Sequence, residues 1–323
     1  MIRPSSVVPL AIGLVLLAGC NTPQSEPPVQ PASAKAAPPR LTDAQKAAID
    51  QITGAAGSYD EAEDVHKVTF PRNDVKVAVD GWAFQPFMGI TSWAAFTPTG
   101  ENEAMAMGDL TLFEDEVNPV MSVALDNGLE VTALHNHFFY DSPQVMFMHI
   151  GGHGTVENLA GAVRKALDKV AEIRRATPAP ASGFGAPDVP AASSITAGTI
   201  DQILGVTGAS NNGMYKATIG RPAKMHGREI GAQMGVNTWA AFAGSDSNAF
   251  VDGDFAMHEG ELQPVLKSLR AAGIHIVAIH NHMIHDEPRF IFLHYWGKGP
   301  AQKLAAGVKA AIDHTGTHGR TGP

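Results

Sequence analysis

Six histidines, in two segments of similar sequence, are the residues of this chain whose spacing suits metal chemistry. The segments read HNHFFYDSPQVMFMH at 135–149 and HNHMIHDEPRFIFLH at 280–294. Each begins with a His-x-His pair at the end of an apolar strand pattern, which places both imidazoles on one face, about 6.6 Å apart. A second strand returns after a turn around DSP or DEP, and an odd loop length would set a third histidine beside the pair. The predicted ligands are His135, His137 and His149 in the first segment and His280, His282 and His294 in the second.

Zinc, or another divalent ion, is the predicted cofactor, because imidazole nitrogens bind such ions at about 2.0–2.1 Å. Three neutral imidazoles with an open fourth position resemble the site of carbonic anhydrase, where a metal-bound water is the nucleophile. That likeness ends with the local geometry. The alternative is that the histidines are hydrogen-bonding residues of a core or of a ligand pocket. Their recurrence in both segments favours the metal, since burying many unpaired imidazoles costs free energy.

Three polar residues in the second half are candidates for a catalytic role beside such an ion. Asp254 follows a glycine near a strand end and is either a turn residue or a carboxylate that orients a ligand histidine. Glu261 precedes a helix, where the helix dipole favours negative charge, and would otherwise be a general base or a fourth ligand. Arg289 would bind an anionic substrate or pair with Glu287. These residues leave open whether the chain catalyses a reaction.

Two further positions have competing interpretations. Trp93 and Trp239, in the repeated WAAF strands, are either core residues or the aromatic wall of a sugar site. His285 has no counterpart histidine in the first segment, where Tyr140 stands. We therefore assign His285 to the surface or to the surroundings of the site, and not to the ligand set.

The histidine segments belong to a longer internal repeat. IDQITG from Ile49 answers IDQILG from Ile200, and TSWAAF from Thr91 answers NTWAAF from Asn237. Residues 108–154 and 253–299 align without insertions. This pattern indicates a tandem duplication. Two copies are too few for a solenoid, so we expect two related domains in a pseudo-twofold arrangement.

Each half shows the same coarse order: an opening helix that ends at a glycine, β-rich segments, a short helix, two strands and a closing amphipathic helix. The short helices are predicted to start near Pro119 and Pro264, since proline suits the first helical turn. LEVTALHNH and IHIVAIHNH are apolar on both faces, which is typical of central strands. The predicted fold class is α+β: two tandem homologous domains with antiparallel or mixed sheets flanked by helices.

The N-terminal residues are typical of a targeting segment. Arg3 precedes the apolar stretch VVPLAIGLVLLA, which is too short to span a bilayer and suits a signal peptide. The following LAGC resembles the lipobox of bacterial lipoproteins, which implies cleavage before Cys20 and a lipid on its thiol. Residues 21–40 are rich in Pro, Ala and Ser and cannot bury enough surface to fold. We predict a signal peptide at 1–19, a disordered tether at 20–40, a first repeat domain at 41–176, a linker at 177–194 and a second repeat domain at 195–315.

The charge of the chain argues against one class of partner. Its formal net charge is −9 and it has no run of Lys or Arg, so nucleic-acid binding through phosphate neutralisation is not expected. It also lacks a glycine-rich phosphate loop, a nucleophile elbow and an HExxH motif. The expected partners are the membrane, through the lipid on Cys20, and a small-molecule or cell-wall ligand.

The two halves together resemble one family. GDL…EVNPV…NGLEVTALHNH…FMH and GDF…ELQPV…AGIHIVAIHNH…EPRFIFLHYWG are similar to the two repeats of the LppY/LpqO lipoprotein family, built on a domain of unknown function. The resemblance covers both halves and the lipobox. It implies a protein exported and lipid-anchored to the cell envelope membrane, on the periplasmic side or the cell surface, and it implies no activity. The first copy departs from the fuller pattern, with Gln144 and Gly151 where the second has Arg289 and Trp296.

Two functions from different classes are consistent with these residues. In the first, a lipid-anchored envelope protein binds a divalent metal through the histidine clusters and, if catalytic, acts as a metal-dependent hydrolase or hydratase. In the second, a non-catalytic envelope lipoprotein binds a ligand or the cell wall without any metal. The metal content of the purified protein separates the two.

Overall fold

The computed structural model describes residues 40–185 and 187–316. These residues fall within one compact unit, and none of their helices is long and apolar enough to cross a membrane. The predicted signal peptide, the lipid on Cys20 and the tether up to residue 39 lie outside the described residues.

Both halves contain the same order of helices and strands. The first half consists of α1 (Asp43–Thr53), β1 (Ser58–Asp60), β2 (Val65–Pro71), β3 (Val77–Val79), β4 (Trp82–Phe84), a 3-10 turn (Pro86–Met88), β5 (Thr91–Pro98), β6 (Ala104–Phe113), α2 (Glu114–Asp126), β7 (Glu130–Asn136), β8 (Asp141–Ser142), β9 (Val145–Gly154) and α3 (Val156–Ala176). The second half consists of α4 (Ala197–Leu204), β10 (Ala209–Asn211), β11 (Met214–Gly220), β12 (Ala223–Met225), β13 (Arg228–Ile230), a 3-10 turn (Ala232–Met234), β14 (Asn237–Gly244), β15 (Ala249–Met257), α5 (Glu259–Ala271), β16 (His275–His280), β17 (Asp286–Glu287), β18 (Ile291–Gly299) and α6 (Ala301–Ile312).

The two halves share one continuous antiparallel sheet. Its 12 strands run in the order β1-β2-β5-β6-β9-β7-β16-β18-β15-β14-β11-β10. Counted inward from the two edges, each strand of the first half holds the same position as its counterpart in the second half. The halves meet where β7 pairs with β16 through Leu134 and Ile279. The predicted α+β fold of helices and antiparallel strands in two repeated regions is therefore confirmed, with both regions joined in a single sheet.

The helices pack against one face of this sheet. Leu134, Met148, Ile279 and Leu293 are buried in the same apolar cluster as residues of the helices. Because successive side chains of a strand point to opposite faces, the histidines between these residues lie on the face away from the helices. The apolar residues thus fix the orientation of the histidines.

Two amide side chains tie each half to the central strand of the other. The amide of Asn118, in α2, donates to the carbonyl of Ile276 at 3.1 Å and accepts from its N–H at 2.8 Å. Gln263, in α5, makes the corresponding pair with Val131, at 2.9 and 3.0 Å. Ile276 and Val131 each stand at an irregularity in strand pairing, where backbone groups lose their ladder partners. Each amide replaces those partners.

Two local predictions are wrong. The short helices begin at Glu114 and Glu259, and Pro119 and Pro264 lie inside them. The DSP and DEP segments do not form tight turns: β8 and β17 leave the main sheet and pair with β3 and β12 in two small sheets. Asp286 still has a local structural role, since its carboxylate accepts the N–H of Phe290 at 2.7 Å.

Candidate metal centre

The strand register brings the histidines of the second half together on the face away from the helices. His280 pairs with Phe292 across β16 and β18, and His294 pairs with Asp254 across β18 and β15. An odd number of residues separates His280 from Phe292, so all three histidines keep one face. The ring of His280 lies 4.7 Å from that of His294 and 5.1 Å from that of His282, between centroids.

Asp254 joins this cluster directly. It lies within β15 and is 1% exposed, so the interpretation of Asp254 as a turn residue is wrong. Asp254, His280 and His282 each offer one ligand atom, and these atoms lie within 4.8 Å of one another. Ligands at 2.0–2.1 Å from a tetrahedral ion lie about 3.3 Å apart. Small side-chain rotations would therefore close the group around an ion.

His282 lies between two groups that accept hydrogen bonds. Its Nδ1 is 3.3 Å from the carbonyl oxygen of Gly235, and its Nε2 is 3.1 Å from the carboxylate oxygen Oδ2 of Asp254. An imidazole with one N–H can donate to only one of these two acceptors, and its other nitrogen then faces the second acceptor with a lone pair. Two acceptors at this distance need a proton or a cation between them.

Other nitrogens and oxygens of the cluster are also arranged for ligation. Nδ1 of His294 lies 3.4 Å from the carbonyl of Gly253, which fixes the imidazole as metal ligands are fixed by backbone partners. Nδ1 of His280 is buried without a hydrogen-bond partner. The remaining carboxylate oxygen of Asp254, Oδ1, accepts the N–H of Leu293 at 3.2 Å.

The protonation of the cluster follows from burial. Burial, with smaller effects from His294 and His282, lowers the pKa of His280 to about 4, so this imidazole is neutral near pH 7 and has a lone pair to offer. Burial raises the pKa of Asp254, against the opposing effects of His294, of His282 and of the Leu293 N–H. A bound cation would favour the ionised carboxylate and remove this penalty.

The first half brings the same residue types together less closely. His135 lies 5.2 Å from His137 and 5.1 Å from His149 between ring centroids. The carboxylate of Asp109, however, lies 4.0 Å from Nε2 of His149. In the second half the corresponding carboxylate contacts His282, whose counterpart in the first half is His137. Among the described residues, the group with metal-ligand spacing is the one in the second half. Burial, followed by the charge of His135, lowers the pKa of His137.

The loop histidine of each half is stacked on a buried phenylalanine. His282 lies 3.6 Å from Phe292, between ring centroids, and His137 lies 3.4 Å from Phe147. Both phenylalanines are fully buried and form the floor of the cluster. The sequence pattern gave no reason to include them in the site.

Two of the candidate catalytic residues are not members of this cluster. Glu261 is bound by the guanidinium of Arg221 and accepts the N–H of His258 at 2.8 Å, so it caps α5 and forms an ion pair. Burial opposes ionisation of Glu261, but the guanidinium of Arg221 and the N–H groups of His258 and Gly316 outweigh it, so the pKa of Glu261 is lowered. Arg289 is exposed and forms no ion pair with a described carboxylate, Glu287 included. His285 is exposed, as expected.

The two tryptophans are neighbours of the clusters and not core residues. Trp239 pairs with Asp254 across β14 and β15, and Trp93 pairs with Asp109 in the same way. Each ring is half-buried and carries a lysine ammonium over it: Lys216 at 3.9 Å from Trp239 and Lys67 at 4.2 Å from Trp93. The same number of residues separates the Gly-Asp pair from the third histidine in both halves, and this constant spacing points to Asp254 as a site residue. Only the register of β15 and β18 shows that Asp254 lies beside His294.

A duplicated α+β protein with a histidine and aspartate cluster on its sheet is thus the class that the fold and site define. A family model for a domain of unknown function (DUF1259) matches residues 47–169 and again residues 198–314. The chain belongs to that family and carries two tandem copies of its domain. None of the curated proteins matches the chain. The crystal structure of a trimeric bacterial microcompartment shell protein, PduB, matches at 14% identity and a TM-score of 0.18, covering 79% of this chain and 90% of that chain.

Proposed function

We propose that this chain is an exported, lipid-anchored envelope protein of the LppY/LpqO type whose second half binds a divalent metal ion, zinc in the simplest case. The observation that carries the proposal is the convergence of one ligand atom each from Asp254, His280 and His282 within 4.8 Å. His294 is the fourth member, because its ring adjoins that of His280 and its Nδ1 is held by a backbone carbonyl.

The donor set suits zinc. Imidazole and carboxylate are ordinary zinc ligands. Three protein ligands with one open position are typical of catalytic sites, which here requires that one of the four residues stays outside the coordination sphere; binding through all four would give a closed, structural site. Such an ion, when bound, would supply a Lewis acid and an activated water for hydrolysis or hydration of an ester, amide or carbonyl. In that case Asp254 is a ligand, Glu261 is held by Arg221 and does not act as the general base, and exposed Arg289 is the candidate for an anionic part of the substrate.

The first half is proposed to be a weaker or degenerate partner site. His135, His137, His149 and Asp109 repeat the residue types, but the carboxylate is 4.0 Å from its nearest histidine nitrogen. We also propose a pseudo-twofold relation between the halves, supported by the strand order and by the exchanged amide contacts of Asn118 and Gln263.

Elemental analysis of the mature, tag-free protein tests the metal proposal. We expect about one equivalent of zinc or a similar ion, lost in His280→Ala, His282→Ala and Asp254→Asn. The matched control is His137→Ala, which removes the corresponding histidine of the first half. A metal-free protein that binds cell-wall fragments with unchanged affinity in these variants would instead support the metal-free alternative.

The lipid anchor is tested separately. Mass spectrometry of the N-terminal peptide is expected to show cleavage before Cys20 and an acyl-modified thiol, and Cys20→Ser is expected to release the protein from the membrane fraction. An unmodified Cys20 in a membrane-free protein would contradict the anchoring without affecting the metal proposal.

A further inference from the structure

A cavity of about 390 Å³ opens in the second half, beside strands β11, β14 and β15. Lys216 pairs with Ala241, and Ala241 pairs with Asp252, so these three side chains form a row on the face away from the helices. Ala243 and Phe250 stand next to this row, on the same face. The cavity is therefore lined by these two alanines, by the apolar side chains of Phe250 and Met214, and by the oppositely charged residues Lys216 and Asp252.

The two charged side chains have no ionic partner among residues 40–185 and 187–316. Neither Lys216 nor Asp252 forms an ion pair with a described residue, and both are exposed. The ammonium of Lys216 lies 3.9 Å from the ring centre of Trp239, a contact that leaves its N–H donors free. Two strand spacings separate the backbones of Lys216 and Asp252, which is about 9.6 Å. The site thus presents two complementary charges on side chains whose backbones are two strands apart.

We infer that this cavity binds a short peptide with free termini, its carboxylate at Lys216 and its ammonium at Asp252. An extended dipeptide or tripeptide spans roughly 7–10 Å, which is comparable with the spacing of the two backbones that carry the charged side chains. An apolar side chain of the peptide covers Ala241 and Ala243 and packs against Phe250. A wholly apolar ligand would leave both charges to be desolvated without compensation, and a neutral sugar would use neither.

The first half provides an internal comparison. Lys67, Trp93 and Ala95 occupy the places of Lys216, Trp239 and Ala241, and the ammonium again lies over the tryptophan, at 4.2 Å. Met107 stands where the second half has Asp252, and it is exposed. The first half therefore has the cation without the anion and cannot hold both ends of a zwitterion.

Titration with three peptides, followed by NMR or calorimetry on the mature chain, tests the inference. The probes are Ala-Phe, N-acetyl-Ala-Phe and Ala-Phe amide, and EDTA is present so that metal binding makes no contribution. We expect saturable binding of Ala-Phe and a loss of about threefold to fivefold on capping either end, the range of an exposed ion pair. Asp252→Asn is expected to abolish the preference over the acetylated peptide, and Lys216→Met the preference over the amide.

Lys67→Met is the matched control and is expected to leave all three affinities unchanged. The exposed substitutions are expected to leave the fold intact, which circular dichroism checks. Equal binding of capped and free peptides, an equal effect of Lys67→Met, or no saturation up to about 10 mM would overturn the inference. Because EDTA is present throughout, these outcomes are independent of the proposed metal site.

Discussion

Replacing Asn118 with alanine is expected to destabilise the chain and to disturb the metal site in the opposite half. The amide of Asn118 makes two hydrogen bonds to the backbone of Ile276, and both residues are buried, at 4% and 1% exposure. The substitution leaves one N–H and one C=O without partners, at about 1–3 kcal/mol each. We therefore expect the free energy of unfolding to fall by about 2–6 kcal/mol.

Gln263→Ala is the matched control, because Gln263 makes the same pair of hydrogen bonds to Val131 from a half-buried position. Water can reach this site more readily and replace part of the lost interaction, so the expected cost is about 1–2 kcal/mol. Urea denaturation in EDTA, followed by circular dichroism, gives both values from the midpoint and slope.

The two variants also differ in their expected effect on the metal. Ile276 lies at the irregularity of β16 that sets the face of His280, so Asn118→Ala is expected to weaken zinc binding severalfold while Gln263→Ala leaves it unchanged. A cost under about 1 kcal/mol for Asn118→Ala, or a larger cost for Gln263→Ala, would refute the assignment of buried backbone partners. Equal zinc affinities in both variants would refute the link to His280.

Further expectations concern the site, the pH dependence and one ion pair. His282→Ala and Asp254→Asn are expected to lower zinc affinity at least about tenfold in a competition titration, and His137→Ala to change it less than about twofold; equal losses in all three would contradict the assignment to the second half. Burial, and then Arg270, lower the pKa of His275 from 6.5 to about 4. The stability that depends on neutral His275 is then full above about pH 6.5 and is lost as the pH falls toward 4. This contribution to the free energy of unfolding is about 1 kcal/mol after allowance for solvent screening. Denaturation curves at about pH 4.5 and pH 7 are expected to show a smaller difference in stability for His275→Gln than for the unchanged protein. Glu116 is fully buried between Arg72 and Arg174. Glu116→Gln is expected to cost about 3 kcal/mol without changing the metal content, and a loss of metal would show that this pair serves the site.

The grouping of the histidines follows from local sequence alone. The His-x-His spacing fixes a common face, and an odd separation between His280 and its partner Phe292 brings His294 onto that face. Both conditions depend on the period of a β-strand and on the number of residues in one loop. For this reason the first-half set of His135, His137 and His149 obeys the same rule.

The carboxylate and the single sheet depend on pairings that local sequence does not specify. Asp254 reaches the histidines because β15 pairs with β18, and a slip of one residue would turn it to the other face. The pairing of β7 with β16, which merges the halves into one sheet, joins Leu134 to Ile279. Both strands are equally apolar, and their pattern alone allows many neighbours. The early helix starts are set by capping: Glu116 accepts the N–H of Phe113 at 2.9 Å.

The two halves differ in the side chains that pack against the loop that carries the second histidine. In the first half this loop rests on an aromatic pair, with the ring of Phe138 4.7 Å from that of Phe84. Met283 and Ile230 take these places in the second half and pack on the corresponding cluster. The loop histidine nevertheless lies at a similar distance from the phenylalanine beneath it in both halves, 3.6 Å for His282 and 3.4 Å for His137 between ring centroids. The two halves therefore share the phenylalanine floor and differ in the side chains that pack beside the loop.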